Sequence, residues 1–276
     1  MTSVAPQNII AVVWDFDKTL IPGYMQAPLF DRYGIDGSEF WREVEGMSDF
    51  YRKSGADLIG REMLYLDHLL TYVREGLMPG LSNAVLRELG AEIQLYPGMP
   101  QFLNQLRKSI EADPMFADHG IRVEHYVVST GLRQMILGNA IAAEVDGVWG
   151  NEFADSQPLP GYLDADAGEP SPETPREITH IIYSIDNTTK TRALFEINKG
   201  SNKHAGVDVN AKVPESHRRV PFENMIYIAD GPSDVPSFAV VTDRGGQAYA
   251  VYAPQSKSEF QQANRLLEQG RVHAFG

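Results

Sequence analysis

The stretch Ile9-Ile10-Ala11-Val12-Val13-Trp14-Asp15-Phe16-Asp17-Lys18-Thr19 carries the strongest indication of the fold in this 276-residue chain. Its first six residues are apolar, mostly β-branched and without alternation. Such a run is typical of a strand buried on both faces, in the middle of a parallel sheet. The run ends at Asp15, and ligands of open α/β sheets bind at the carboxyl ends of the strands. The sequence therefore predicts an α/β fold with a site at Asp15.

Strand-like and helix-like segments alternate along much of the chain. Strands are predicted at 125–128, 225–229 and 248–252, with an apolar stretch at 178–185. Helices are predicted over 102–110, from about 187, and over 258–270. This alternation indicates a parallel sheet flanked by helices. Residues 155–175 are rich in Pro, Asp, Gly and Glu and are predicted to form an exposed loop.

The segment between residues 22 and 95 has a helical pattern instead. One apolar stripe recurs at spacings of three and four residues, at Ile59, Met63, Leu66, Leu70 and Val73. Ser82 is a candidate N-cap for a further helix that ends near Gly90. We interpret the segment as an all-helical insertion, and the alternative is that it belongs to the main core.

Composition restricts the possible partners and the compartment. The chain has 24 basic and 37 acidic side chains, a net charge of -13, which argues against nucleic-acid binding through a basic face. It has no cysteine, no basic leader and no apolar run of membrane-spanning length, so we expect no disulfide, no signal peptide, no membrane partner and a cytoplasmic location. The histidines show no zinc-like spacing, and no phosphate-binding Gly-Lys loop is present.

Asp15 and Asp17 form a pair that has three interpretations. An EF-hand calcium loop needs Gly at its sixth position and Glu at its twelfth, where this chain has Leu20 and Gln26. A surface turn without a role is disfavoured, because two carboxylates at the end of a buried strand repel each other without a cation. The third interpretation is a nucleophile and a proton donor. Residues i and i+2 at a strand end point the same way, and a carboxylate can attack phosphorus.

Two further segments offer the positive charge that phosphoryl transfer requires. Ser129, Thr130 and Gly131 follow a predicted strand, where a hydroxyl and backbone N–H groups can bind a phosphate, although such a triplet is also a common turn. Lys190 lies near the start of a predicted helix, where it is either a phosphate ligand or a solvated surface residue.

A second acidic pair follows the strand at 225–229. Asp230 and Asp234 provide hard oxygen ligands of the kind that Mg²⁺ prefers, or Asp230 merely caps the next helix. Each of these segments is weakly specific alone. Their order along the chain, each at a predicted strand end or helix start, makes the combination strongly specific.

This ordered combination resembles the motifs of the haloacid dehalogenase superfamily of hydrolases, over nearly the whole chain. The resemblance implies a Rossmann-like parallel sheet core flanked by helices, formed by residues 1–22 and 96–276. It also implies an inserted all-helical cap domain of the C1 type over residues 23–95, as in phosphoserine phosphatase-like members. Two departures are Ala229, where many relatives have Gly, and the long segment from 155 to 185.

By position, the resemblance implies a role for each motif residue. Asp15 would be the nucleophile and a Mg²⁺ ligand, and Asp17 the general acid/base, with its backbone carbonyl also on the metal. Ser129 and Lys190 would hold the phosphate. Asp230 would be a further Mg²⁺ ligand, and Asp234 a ligand through water or an orienter of Lys190. Thr19 would support the first loop.

The resemblance implies a Mg²⁺-dependent phosphatase that hydrolyses a small-molecule phosphate monoester through an aspartyl-phosphate on Asp15. Superfamily members with other chemistries generally lack the second aspartate, so Asp17 favours ester hydrolysis or phosphomutase chemistry. The alternatives are a phosphomutase or phosphotransferase of the same fold, and a non-enzymatic binding or regulatory protein. The oligomeric state cannot be read from the sequence. Candidates for substrate selection within 23–95 are Trp41, Arg42, Tyr51, Arg52, Lys53, Arg61, Tyr65 and Arg74.

Overall fold

Strand β1 (Ile9–Trp14) lies in the middle of the sheet in the computed structural model, which describes residues 7–158, 160–163 and 176–276. The sheet of the described residues has seven strands in the order β4-β3-β2-β1-β5-β6-β7, and all neighbours are parallel except β3 and β4. The other strands are β2 (Arg122–Leu132), β3 (Gly147–Ala154), β4 (His180–Tyr183), β5 (Met225–Ala229), β6 (Gln247–Ala250) and β7 (Ala274–Phe275). The predicted α/β fold with a Rossmann-like parallel sheet is confirmed.

Ten α-helices accompany these strands in the described ranges. Four lie in the predicted helical segment between residues 22 and 95: α1 (Ala27–Tyr33), α2 (Gly37–Lys53), α3 (Arg61–Arg74) and α4 (Asn83–Gly90). The others are α5 (Gln101–Glu111), α6 (Pro114–Ala117), α7 (Arg133–Gly138), α8 (Lys190–Lys199), α9 (Val235–Thr242) and α10 (Lys257–Glu268). As predicted, the Ser82 hydroxyl caps α4 by accepting a hydrogen bond from the Val85 N–H.

Both faces of β1 are covered, as the unbroken apolar run predicts. Val12 and Trp14 pack into a core shared with α1–α5 and α7, whereas Ala11 and Val13 pack into a second core shared with α8, α9 and α10. Successive side chains of a strand point to opposite faces, so each face of the sheet receives its own hydrophobic layer. From β1 the chain runs outward through β2, β3 and β4 on one side of the sheet and then crosses to β5, on the other side of β1. Ligand crevices form where the strand order reverses in this way.

The four helices within 23–95 do not all lie far from the sheet. Helix α4 packs against α7 so closely that a Cβ on Gly90 would overlap the backbone carbonyl of Met135, and one on Gly138 would overlap that of Arg87. Glycine is required at both contacts because the backbones themselves touch. Residues 23–95 contain no strand, and their separation as a cap domain stays a prediction.

Two of the element boundaries that differ from the sequence-based expectation bear on the site. β2 does not end at Ser129 but continues to Leu132, because its register with β3 shifts after Val128 and resumes at Leu132. Helix α8 begins at Lys190 rather than near Asn187, because the Asp186 carboxylate accepts the N–H groups of the intervening residues and holds them in a turn.

The segment predicted as an exposed loop is described in part. Residues 155–158 and 160–163 are exposed and contain neither helix nor strand, as predicted. Residue 159 and residues 164–175 lie outside the described residues. Among the helices that the structure describes, none is long and apolar enough to cross a lipid bilayer.

Candidate active site

The loop after β1 places Asp15 and Asp17 at the carboxyl edge of the sheet. The Asp15 N–H donates to the Ile228 carbonyl of β5 at 2.9 Å, which holds the end of β1 against its neighbour. Phe16 is fully buried and its carbonyl accepts the N–H of Thr19 at 3.2 Å, so the chain turns at once. The two aspartates flank this anchor and line one cavity. The Thr19 hydroxyl lies 3.5 Å from the Asp15 carboxylate, consistent with the supporting position expected for it.

Lys190 is the cation of the site. Its side chain is fully buried, and its Nζ donates to Asp15 Oδ1 at 2.7 Å and to Asp234 Oδ1 at 2.6 Å. Burial alone would lower the pKa of Lys190, but the carboxylates of Asp15 and Asp234 raise it well above its usual value, so the ammonium stays charged. Asp234 is held in turn by the Tyr227 hydroxyl at 2.6 Å and by the Ser233 hydroxyl at 2.8 Å. A lysine at a helix start is therefore not a solvated surface residue here.

Three carboxylates converge beside the Lys190 ammonium. Oxygens of Asp15, Asp230 and Asp234 all lie within 4.8 Å of one another. Burial, with the negative charge of Asp234, raises the pKa of Asp230 to about 6. Burial also raises the pKa of Asp15, although Lys190 opposes this. The surplus of negative charge at a partly buried, all-oxygen site fits a divalent cation of the Mg²⁺ type.

The members of this carboxylate cluster are not equivalent. Both oxygens of Asp234 already accept hydrogen bonds, which suits an orienter of Lys190. The Asp230 backbone carbonyl accepts a hydrogen bond from the Gln262 side chain. Its carboxylate accepts none from the described residues, and Asp230 lines the cavity. The second oxygen of Asp15 has only the 3.5 Å contact with Thr19 among the described residues, so Asp230 and Asp15 are the better placed of the three for a metal ion.

Asp17 has a different environment from Asp15. One of its carboxylate oxygens accepts the Met25 N–H at 2.8 Å, which fixes its orientation. Burial raises its pKa to about 7, even though this hydrogen bond opposes the shift. A carboxyl group that is half protonated near neutral pH can both donate and accept a proton. The environments of the two aspartates thus separate their protonation, as an acid/base and nucleophile pair requires.

The Ser129-Thr130-Gly131 segment runs beside the first loop. Trp14 pairs with Val127 in the parallel register, which brings the following residues of β2 to the same edge as Asp15. The Ser129 hydroxyl is buried and accepts the Gly131 N–H at 2.9 Å, and Thr130 lines the cavity with Asp17. The structure therefore brings this segment to the site, with the Gly131 N–H turned toward Ser129.

Two adjoining cavities open at the carboxylates, and both are lined by Asp17, Tyr24 and Thr130. The first has a volume of about 380 Å³, and its other lining residues are Asp15, Lys18, Asp230, Pro232, Ser233, Glu259 and Gln262. The second has a volume of about 430 Å³ and extends toward α2 and α3, with Gln26, Trp41, Val44, Glu45, Arg61, Glu62, Tyr65 and Gly131 as its other lining residues. The first cavity holds Asp15 and Asp230, and the second provides space beside Asp17.

The candidates for substrate selection separate into two groups. Trp41, Arg61 and Tyr65 line the second cavity. Arg42 and Arg52 instead pair with carboxylates one turn away on the exposed surface of α2. Tyr51, Lys53 and Arg74 do not line either cavity as the structure describes them.

Sequence reasoning missed two residues that hold the site together. Tyr227 lies within the apolar run of β5, where only its phenol distinguishes it from a core residue, and its partner Asp234 follows seven positions later. Asn151 is buried in β3, where its amide donates to the Tyr65 hydroxyl at 2.7 Å and its carbonyl accepts the Ile185 N–H at 2.8 Å. A polar residue inside an otherwise buried strand was the available signal, because such groups need partners.

Comparisons with known proteins give one clear sequence relative and several structures of similar fold. An uncharacterized protein of Borreliella burgdorferi is 42% identical over 272 residues, which cover 98% of this chain and 90% of that protein. No protein-family model matches the chain.

Two solved structures share the fold at low sequence identity. A haloacid dehalogenase family hydrolase of Salmonella enterica serovar Typhi superposes with a TM-score of 0.51 at 15% identity, covering 99% of this chain and 68% of its own. A phosphoserine phosphatase solved as a phospho-aspartyl intermediate analogue superposes with a TM-score of 0.50 at 11% identity, covering 97% and 93%. The chain thus has the fold of the haloacid dehalogenase-type hydrolases.

Proposed function

Since this chain belongs to one protein family with the Borreliella burgdorferi protein and has the fold of the haloacid dehalogenase-type hydrolases, we propose that it is a Mg²⁺-dependent phosphatase acting on a small-molecule phosphate monoester. The observation that carries the proposal is the pairing of Asp15 with a fully buried Lys190, beside an Asp17 whose pKa is raised to about 7. A nucleophile, a fixed cation and a proton carrier then face one cavity.

The first step forms a bond between a carboxylate oxygen of Asp15 and phosphorus, and breaks the bond between phosphorus and the ester oxygen. The departing alcohol oxygen takes the proton of Asp17, so a neutral alcohol leaves. Lys190 and the hydroxyl and N–H groups of 129–131 hold the phosphoryl oxygens while charge develops on them.

The second step returns the site to its starting state. Asp17, now a carboxylate, takes a proton from water, whose oxygen attacks the phosphorus of the aspartyl-phosphate. The bond between Asp15 and phosphorus breaks, inorganic phosphate leaves, and Asp17 is protonated again. Asp15, Asp230 and the Asp17 carbonyl would hold Mg²⁺, which supplies positive charge for the phosphoryl oxygens when bound. Asp234 orients Lys190 in this scheme.

We also propose that residues 23–95 act as a cap on the core formed by residues 1–22 and 96–276. Support comes from the second cavity, which lies between the catalytic loop and the α2–α3 pair. A cap over the carboxyl edge of the sheet would exclude water from the reacting phosphate and would contact the alcohol part of the substrate.

Release of inorganic phosphate from p-nitrophenyl phosphate and from a panel of phosphorylated metabolites tests the proposal. We expect turnover with Mg²⁺, loss of turnover on chelation, and loss of turnover in Asp15→Asn, which keeps the shape but removes the nucleophile. Asp67→Asn, an exposed aspartate of α3, is the matched control and should keep full activity. Unchanged turnover in folded Asp15→Asn would contradict the proposal, and faster phosphate delivery to an added alcohol than to water would indicate a phosphotransferase.

A further inference from the structure

Helix α10 contributes two side chains to the first cavity. Glu259 and Gln262 lie three positions apart, so they project from the same face of the helix. Both line the cavity with Asp15, Asp17 and Asp230. The two-step reaction described above gives neither of them a role, although they border the groups that would hold Mg²⁺.

The first turn of α10 is fixed by hydrogen bonds. The Ser256 hydroxyl accepts the Glu259 N–H at 3.3 Å as the N-cap, and the Glu259 carboxylate accepts the Ala253 N–H at 2.9 Å. Further along the helix, Ala263 and Leu266 are buried in the core shared with α8 and α9. Because the helix is held at its start and along its length, its cavity side chains are fixed contacts for the loops beside them.

Gln262 contacts the loop that carries Asp230. Its side-chain amide donates to the Asp230 backbone carbonyl at 3.2 Å. A Cβ on Gly231 would lie 2.1 Å from Nε2 of this amide, so the glycine leaves the space that the amide occupies. Since the Asp230 carboxylate accepts no hydrogen bond from the described residues, its direction depends on the backbone that Gln262 holds.

Glu259 contacts the other loop of the metal site. Its carboxylate pairs with Lys18 Nζ at 3.6 Å, and Lys18 directly follows Asp17. Lys18 has a φ of +57°, in the left-handed region that residues other than glycine rarely adopt. The ion pair therefore helps to hold a backbone conformation that is unfavourable by itself. Helix α10 thus contacts both loops that carry the expected Mg²⁺ ligands.

We propose that Gln262 is a positioning residue of the metal site, an inference that rests on the proposed Mg²⁺-dependent function. By holding the Asp230 carbonyl, Gln262 directs the Asp230 carboxylate toward the ion that Asp15 also binds. Residues that orient metal ligands typically contribute roughly ten- to a hundredfold to metal affinity, and one amide donor on a backbone carbonyl corresponds to the lower value. Gln262 takes no part in the bonds that form and break, so kcat at saturating Mg²⁺ depends on it little.

Gln262→Met tests this role, because methionine has nearly the length of glutamine and favours a helix but lacks the N–H donor. Gln261→Met is the matched control, since Gln261 is an exposed glutamine of the same helix outside the cavity. Calorimetric titration with Mg²⁺, without substrate, measures the affinity. Urea unfolding with and without Mg²⁺ measures the stability of the fold and its stabilisation by the ion.

We expect the Mg²⁺ dissociation constant of Gln262→Met to be about tenfold above that of wild type. The rise of the urea midpoint on addition of Mg²⁺ should be correspondingly smaller in this variant. With p-nitrophenyl phosphate at saturating Mg²⁺, kcat and KM should stay within about twofold of wild type. Gln261→Met should match wild type in every measurement.

The outcomes separate this inference from the proposed phosphatase. An unchanged Mg²⁺ dissociation constant in folded Gln262→Met, or an equal rise in Gln261→Met, would overturn the positioning role and leave the phosphatase intact. A lower urea midpoint in chelator as the only change would also overturn it, because that is the effect of a merely structural residue. Weaker Mg²⁺ binding by Gln262→Met, without phosphate release from any ester by wild type, would support the positioning role and refute the phosphatase. Absence of Mg²⁺ binding by wild type would refute both.

Discussion

Removal of one carboxylate from the active site should stabilise the protein that lacks bound metal. Asp230→Asn is the perturbation, because oxygens of Asp230, Asp15 and Asp234 lie within 4.8 Å of one another, and Lys190 and Lys18 offset their charge only in part. Burial and the Asp234 charge raise the Asp230 pKa from 3.8 to about 6. With allowance for partial exposure, this corresponds to about 2 kcal/mol of destabilisation by the ionised group.

The sign depends on pH in a defined way. A carboxyl whose pKa is raised in the folded state binds more protons folded than unfolded between the two pKa values. The free energy of unfolding of the wild-type protein therefore falls by this amount as pH rises from 3.8 to about 6. The advantage of Asp230→Asn should be absent below this window and complete above it.

Urea unfolding in the presence of a chelator, followed by circular dichroism near neutral pH and near pH 4, measures the effect. We expect the free energy of unfolding of Asp230→Asn to exceed that of wild type by about 2 kcal/mol near neutral pH and to equal it near pH 4. Added Mg²⁺ should then stabilise wild type more than the variant. A destabilised Asp230→Asn in chelator, or equal Mg²⁺ stabilisation of both proteins, would refute the charge-surplus account of the site. Asp67→Asn is the control for removing an exposed carboxylate and should change stability by less than about 0.5 kcal/mol.

Three further predictions concern groups around the site. Burial lowers the pKa of His125 from 6.5 to about 4. The free energy of unfolding should therefore fall by up to about 3 kcal/mol as pH falls from 6.5 to 4, because the unfolded state takes up the proton first. In urea titrations, His125→Leu should make the free energy of unfolding less dependent on pH in this range. Tyr65→Phe removes the hydroxyl that donates to the Thr130 carbonyl at 2.6 Å. We expect kcat/KM to fall about tenfold while the free energy of unfolding falls by only about 1 kcal/mol. An unchanged kcat/KM would show that this contact does not position residues 129–131. Gly138→Ala places a methyl group against the Arg87 carbonyl and should lower the free energy of unfolding by about 2 kcal/mol or more, whereas Gly46→Ala, whose Cβ meets nothing within 4 Å, should not destabilise the protein.

The central strand could be predicted from the sequence because its signal is local, whereas β3 (Gly147–Ala154) was not predicted. The run 9–14 has the unbroken apolar character of a central strand, and it packs into both cores as such a strand must. The Ser82 cap of α4 was equally readable, since the hydroxyl acts on an N–H three residues away. The continuation of β2 past Ser129 was not readable, because it depends on pairing between Leu132 and Asn151 across the sheet.

The candidate site was predictable to the extent that its residues stand at the ends of elements. Lys190 and Asp15 are 175 positions apart. Asp15 follows a parallel strand, whereas Lys190 reaches it from the start of α8, after the antiparallel β4. Contacts made across the fold could not be foreseen. Asn151 and Tyr65 are 86 positions apart, and no local pattern encodes their contact. Tyr227 lies only seven positions before Asp234, but nothing in the apolar run marks its hydroxyl as a partner.

The roles of the motif residues are tested most directly by finding where the phosphoryl group resides during turnover. Rapid acid quenching of the protein with substrate and Mg²⁺, followed by peptide mass spectrometry, locates it. The account predicts a phosphoryl group on the peptide that contains Asp15, at the Asp15 side chain, and its absence in Asp15→Asn. A phosphoryl group on another residue during turnover, or one that persists in Asp15→Asn, would contradict the account.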